Sequence, residues 1–406
     1  MLNTVGSVAR GDNFFDREEF VERLWGRLEA GNVLLLAPRR FGKTSVMYRL
    51  LDRPRSGWRV VHVDAESIRE PVNFVVALLD ALSGDQALRA FLKKAWSGAG
   101  AWARKTLDGW EVTTPWDVGV KINLKKAMGG EWPARAEGLL SVLSDYGDGE
   151  RLLIIVDELP VMLRLFEDND VPDSEVRAFL YWLRKLRTDP AVGLTECRFL
   201  VGGSIGADRY LSRLRASDSF NDFERVPLPH LTAARAGELL DALLQARELQ
   251  VSPQTRQAAL DAVGVPVPYF IQIVVSELAA VRDEGSASEI TPRTVEEVYE
   301  QRVLGATCKS YFQHYYDRLR FYGKPEEAAA KAVLRELALA QAAGVQRDNL
   351  RLVCLDTLGE AASDESFAQL VADLENDFYV VYRPKDRSYV FASKILCDWW
   401  RRHYAF

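Results

Sequence analysis

The chain has few of the residues from which metal centres and disulfide frameworks are built. Its 406 residues include four cysteines and four histidines. Cys197, Cys308, Cys354 and Cys397 are scattered with no C-x-x-C pair, which argues against a zinc site or a disulfide scaffold and fits a reducing cytoplasm. His62, His230, His314 and His403 are isolated from one another, so no metal set or nucleophilic triad is expected. No apolar run approaches ~20 residues and no charged-then-apolar leader opens the chain, so no membrane partner is expected. Excess positive charge is also missing. The formal net charge is −6, which confines any nucleic-acid contact to a local patch. There is no internal repeat and no low-complexity tract. What is present, 48% hydrophobic and 27% charged residues, describes a folded protein of two or three domains.

The most informative stretch spans residues 34–45. An apolar run, Leu34 to Leu36, leads through Ala37, Pro38, Arg39, Arg40 and Phe41 to Gly42, Lys43, Thr44 and Ser45, and a helix is expected to follow through Val46, Met47 and Leu50. This is the strand, loop and helix setting of a phosphate-binding loop. Backbone N–H groups and the helix N-terminus face the phosphates, Lys43 reaches the β and γ oxygens, and the Thr44 hydroxyl can ligate Mg²⁺. Ala37 stands where the G-x-x-x-x-G-K-[ST] pattern has its first glycine. Alanine costs little there if φ is negative and more if φ is positive.

Before this loop, Phe20, Leu24 and Leu28 share one face of an expected helix. After it, strands are expected at 58–64, 152–158 and 198–204, with a weaker candidate at 225–228, and helices at 72–82 and through Phe179, Leu183 and Leu186. Strands alternating with helices predict an α/β, three-layer parallel sheet. From about 84 to 136 the pattern loosens around Trp96, Trp102, Trp110, Trp116 and Trp132, and 118–124 alternates like a hairpin arm. This segment reads as an insertion anchored by its aromatics. The boundaries expected are an ATPase domain at 1–231, a helical lid at 232–305 and a winged helix at 306–406. The last rests on three helices and a two-strand ribbon, closed by an aromatic helix at 395–404.

Asp157 and Glu158 end the third apolar run. Acids also end buried strands simply by escaping to solvent, but an upstream Gly-Lys-Thr favours a catalytic use. Asp157 would orient the metal's water ligands and Glu158 would polarise the attacking water. Ser204 ends the next strand, where it either bonds the γ-phosphate or the water, or belongs to an ordinary Gly-Ser loop. Arg39 and Arg40 either pair with acids of the lid or a neighbouring subunit, or are solvated. Arg209, Arg213 and Arg215 lie where an arginine finger would arise in an oligomer, although solvation is the commoner fate. In the winged helix, Arg383, Lys385 and Arg387 form a basic wing tip. Asp364, Glu365, Asp373, Glu375 and Asp377 decorate the third helix and would face DNA phosphates unfavourably. Backbone contact by the wing is therefore expected, and base readout by that helix is not.

Taken in order, Phe15 to Glu18, Ala37 to Ser45, Val156 to Glu158, Gly203 to Gly206 and Gly264 to Pro266 resemble the STAND-type, AAA+-like P-loop ATPases. The likeness is to their archaeal-ATPase branch, which is related to origin-recognition ATPases. The resemblance implies that Phe15, Asp16 (for the family's Gly), Arg17 and Glu18 lie near the adenine. It also implies that Pro266 brings the lid onto the nucleotide, with Pro268 and Tyr269 as the alternative counterpart. ADP would hold a closed form and ATP would open it, often into an oligomer, acting on a separate effector protein. The expected function is a slow ATPase switch coupling nucleotide state to a partner protein or nucleic acid. A nucleotide-liganded DNA-binding regulator or loader without significant turnover is the alternative, and a small-molecule phosphotransferase a distant third.

Overall fold

The structure is a computed structural model and describes residues 3–98, 131–146, 150–192, 194, 197–203, 211, 214–287 and 289–406. The chain divides into two compact units. One holds 17–37 and 43–227; the other holds 1–16, 38–42 and 228–406.

The first unit is α/β. The apolar runs form strands β1 (Asn32–Leu36), β2 (Trp58–Asp64), β3 (Arg151–Asp157), β4 (Arg198–Gly203) and β5 (Phe223–Pro227). They make one parallel sheet in the order β2-β3-β4-β1-β5. The helices around it are α1 (Glu18–Ala30), α2 (Lys43–Asp52), α3 (Pro71–Gly84), α4 (Gln86–Gly98), α5 (Trp132–Leu140), α6 (Leu159–Asp168) and α7 (Asp173–Thr188). Placing β4 between β1 and β3 has a consequence for chemistry. Strands are spaced about 4.8 Å apart, so groups at the ends of β1 and β3 must reach each other across β4.

The strands, α3 and the α5–α7 region share one apolar core. Phe179 sits at its aromatic centre, edge-on to Phe74 at 5.2 Å and to Phe166 at 5.6 Å. Trp132 is buried there, edge-on to Trp182 at 5.1 Å. The region read as loosened at 84–136 thus begins with helix α4, on which Leu88 and Leu92 are buried at helical spacing. The hairpin arm read at 118–124, and Trp102, Trp110 and Trp116, lie outside the described residues.

One buried ion pair ties several of these elements together. The Arg187 guanidinium donates to Asp222 at 2.8 and 3.0 Å, to the Leu183 carbonyl at 2.7 Å and to the Ser219 carbonyl at 2.6 Å. It lies 4.6 Å from the centre of the Phe223 ring. Asp222 also accepts from Asn32 Nδ2 at 2.9 Å, while Asn32 Oδ1 accepts from the Phe199 N–H at 2.8 Å. Burial lowers the Arg187 pKa despite Asp222, but an arginine starts so far above neutrality that it stays charged. For the less buried Asp222, burial is outweighed by Arg187 and the carboxyl is held below its ordinary value.

The second unit begins with helices α8 (Ala233–Ala246), α9 (Pro253–Val263), α10 (Pro268–Asp283) and α11 (Pro292–Val298), the last running into a π turn at Tyr299–Val303. Thr232, Ser252 and Thr291 cap α8, α9 and α11 through their side chains. Helix α12 (Lys309–Arg318) precedes α13 (Glu326–Ala340), α14 (Arg347–Leu358) and α15 (Asp364–Asn376). Strands β6 (Val345–Gln346), β7 (Val380–Arg383) and β8 (Ser388–Phe391) form an antiparallel sheet in the order β6-β8-β7, and α16 (Lys394–Tyr404) follows. The ribbon expected to have two strands has three. The added strand is only two residues long and carries no alternation to read.

The Arg187 network yields a test. Asp222→Ala leaves the guanidinium buried without its counter-ion, and the urea midpoint should fall by an amount equivalent to roughly 3–5 kcal/mol. A loss under about 1 kcal/mol, typical of an exposed pair, would contradict this account.

Candidate functional site

Four of the sequence-expected residues meet at the C-terminal ends of β1 and β3. Lys43 opens α2, and its Nζ lies 2.8 Å from Glu158 Oε1 and 3.1 Å from Asp157 Oδ1. Thr44 Oγ1 donates to Asp157 Oδ2 at 2.7 Å. Asp157 Oδ1 also accepts from the Glu158 N–H at 2.9 Å. Asp157 has therefore not escaped to solvent. It is 3% exposed and Lys43 7% exposed.

The charges explain each other. Burial opposes the Lys43 ammonium, but Glu158 and Asp157 outweigh it and raise the pKa above its ordinary value. Burial likewise opposes the Asp157 carboxylate, and Lys43 with the Thr44 hydroxyl outweighs it, holding the pKa below the usual range. Both partners thus point to a fully ionised pair at neutral pH.

Glu158 is held in a rarely used backbone conformation, φ 56° and ψ 36°, as the residue before α6. The left-handed region costs a non-glycine residue about 1–2 kcal/mol, and such strain tends to collect at functional positions. Its Oε2 is buried with no hydrogen-bond partner among the described residues.

Ala37 is not among the residues with positive φ, so its methyl group takes the inexpensive conformation; the left-handed positions of the loop are Arg40 (φ 71°) and Gly42 (φ 91°). The Ala37 N–H donates to the Gly203 carbonyl at 3.3 Å. Ser45 lies in the first turn of α2, and Arg17 is buried before α1.

The loop tip, 38–42, packs instead within the second unit. Phe41 is buried, edge-on to Phe378 at 4.8 Å. Arg40 lies over the Tyr269 ring at 4.7 Å and donates to the Gly6 carbonyl at 3.1 Å. The Arg39 carbonyl accepts from the Tyr315 hydroxyl at 3.4 Å. Within the chain, Arg40 thus meets an aromatic face and a carbonyl rather than an acid of the lid. Also in this unit, Asp16 pairs with Arg235 at 3.0 Å, and the Pro266 carbonyl accepts from the Leu231 N–H at 3.1 Å. Phe15, also in the second unit, is half-buried. Ser204, Arg209 and Arg213 lie outside the described residues. Tyr269 enters the sequence reading only as part of the alternative to Pro266, and nothing local in the sequence marks Tyr315 or Phe378, because each meets the loop tip from a distant part of the chain.

At the wing, Arg383, Lys385 and Arg387 are all exposed, and Arg383 also donates to the Ala342 carbonyl at 2.8 Å. The acids of α15 differ from the sequence expectation. Asp373 is buried and accepts from Gln369 at 2.9 Å. Asp377 accepts from the Tyr322 hydroxyl at 2.9 Å, and burial raises its pKa. Only Asp364, Glu365 and Glu375 of the five are exposed, and Asp364 is paired with Arg351.

The fold and the constellation at its centre define an AAA+-like P-loop architecture with a helical C-terminal region and a small winged-helix sheet. Solved structures share it. The Walker-type ATPase of Pyrococcus abyssi is 16% identical with a TM-score of 0.59, matching 99% of this chain and 100% of its own. The Aeropyrum pernix ORC2 protein, solved as ADPNP–ADP complexes, is 12% identical with a TM-score of 0.55, matching 97% of this chain and 95% of its own. No protein-family model matches the chain, and no curated protein matches it in sequence.

Lys43→Met removes the cation from between two carboxylates. It should lower the stability of the protein without added ligand by about 3 kcal/mol, read from thermal unfolding. An unchanged melting temperature would show that the pair is not formed without nucleotide.

Proposed function

We propose that the chain binds ATP with Mg²⁺ at its phosphate loop, hydrolyses it slowly, and acts in the cytoplasm as a STAND-type switch that couples nucleotide state to a separate partner protein. The observation that carries this reading is the contact of Lys43 and Thr44 with Asp157 and Glu158. A cation, a hydroxyl and two carboxylates meet at a helix N-terminus, where anionic phosphates are favoured. Lys43 leaves its carboxylates for the β and γ oxygens. The Thr44 hydroxyl and the Asp157 carboxylate supply hard oxygen donors, a set that suits Mg²⁺ held largely by phosphate and water. Held there, Mg²⁺ would supply positive charge to offset that of the phosphates. Glu158, whose Oε2 has no hydrogen-bond partner among the described residues, would accept a hydrogen bond from the attacking water and take its proton.

Coupling is supported by the division of the loop. Its tip is packed by Phe378, Tyr269 and Tyr315, while Lys43 and Thr44 belong to the sheet unit. A change in the loop on binding phosphate would therefore be felt by the C-terminal elements. Assembly into an ATP-dependent homo-oligomer would let an arginine act on a neighbouring subunit.

Glu158→Gln should bind ATP about as tightly as the parent while its turnover falls by about 10²–10⁴-fold. Unchanged phosphate release would remove Glu158 from the role of water polariser.

A second reading, a DNA-binding regulator using nucleotide as a structural ligand, is favoured by the exposed Lys385 and Arg387 and by the inward turn of Asp373 and Asp377. It expects salt-sensitive duplex binding in which Lys385→Ala with Arg387→Ala reduces the salt slope by about two. No duplex binding at low salt, with or without ATP, would dismiss it.

A further inference from the structure

Strand β4 has to pass between the phosphate loop and the acids of β3. Its register pairs Leu35 with Gly202 and Val201 with Val156. Gly202 therefore lies level with Asp157, at the point where that carboxylate crosses β4 to reach Lys43 and Thr44. A Cβ at position 202 would lie 2.5 Å from Asp157 Oδ1 and 2.5 Å from the Met47 methyl carbon. Real Cβ atoms do not approach so closely, so one neighbour or both would have to move. The neighbouring Gly203 is less confined: its nearest atom to an added Cβ is Pro160 Cγ, at 3.3 Å.

We propose that Gly202 is a positioning residue of this site, kept free of a side chain so that the Asp157 carboxylate can lie across β4. This rests on the ATPase reading given above. The dependence passes through one oxygen. Asp157 Oδ1 accepts from the Glu158 N–H and contacts Lys43 Nζ, so displacing it disturbs the cation and also the left-handed turn that aims Glu158. Glycine inside a strand commonly marks such a close approach. Here φ is not the reason, because Gly202 is absent from the positive-φ glycines. The space itself is what is required.

Met47 makes the test selective, because it is the other group that a methyl at 202 would strike. Gly202→Ala, Met47→Ala and the double variant are compared in melting temperature, in Mg²⁺-dependent ATP turnover and in the Mg²⁺ concentration giving half-maximal rate. Gly202→Ala should lose both stability and turnover, the latter by about 10²-fold, as for an ångström-scale misplacement. Adding Met47→Ala should return stability towards that of Met47→Ala alone, yet leave turnover low and the Mg²⁺ requirement raised. Recovery of turnover together with stability would overturn the proposal, since packing against Met47 would then account for everything. A crystal structure of Gly202→Ala decides the matter independently of activity. Asp157 Oδ1 should have left the Glu158 N–H, and a carboxylate unmoved beside a displaced Met47 would contradict the proposal. A parent protein that neither binds nor hydrolyses ATP would refute the ATPase reading, while the crystallographic result would still stand for or against Gly202.

Discussion

Lys43 is held in an interior that would expel it if it were alone. Taking an ammonium out of water costs several kcal/mol even after the protein relaxes, and only close opposite charge with good geometry offsets that cost. Asp157 and Glu158 supply it, and the raised Lys43 pKa and lowered Asp157 pKa both favour the charged forms. The arrangement also sets a threshold for ligands. A phosphate group attracts Lys43 only by competing with two carboxylates already in contact, and a divalent cation assists by giving those carboxylates a new partner. In this account, nucleotide and metal are coupled through the same few oxygens.

The sheet order makes such a contact possible and constrains it. With β4 inserted between β1 and β3, the separation to be bridged is about 10 Å. Lys43 spans much of it with a flexible stem, and the short Asp157 side chain covers the rest by lying over β4. The buried Arg187–Asp222 pair fixes α7 and the approach to β5, while Asn32 links Asp222 to the start of β4. A rigid frame of this kind is what a site needs if its groups are to be held to fractions of an ångström.

Much of this was legible in the sequence because it is local. Apolar runs ending in charged or glycine residues placed β2 to β4 within a residue, β1 was read two residues late at its start, and Gly-Lys-Thr with a downstream Asp-Glu marked the four residues that meet. β5 was read two residues late, because Phe223 is followed by exposed Glu224 and Arg225 and the alternation is weak. Helix α6 was not foreseen, since it starts directly after Glu158, with Pro160 in its first turn, and leaves no loop to signal a boundary. Helix α12 was hidden by its polar composition. The packing of the loop tip had no sequence signal at all, as Phe41 and Phe378 or Arg40 and Tyr269 come together only in the folded chain. Gly202 did leave a trace, a glycine interrupting an apolar strand, but its meaning depends on which strand lies beside which.

The central claim is that Lys43, Thr44 and Asp157 together form a metal-assisted phosphate site, and calorimetric titration of the full chain with ATP, with and without Mg²⁺, tests it most directly. The account expects a single nucleotide bound per chain, with affinity strengthened by Mg²⁺, since the metal compensates the carboxylates that give up Lys43. Absence of binding under both conditions, or an affinity indifferent to Mg²⁺, would contradict it.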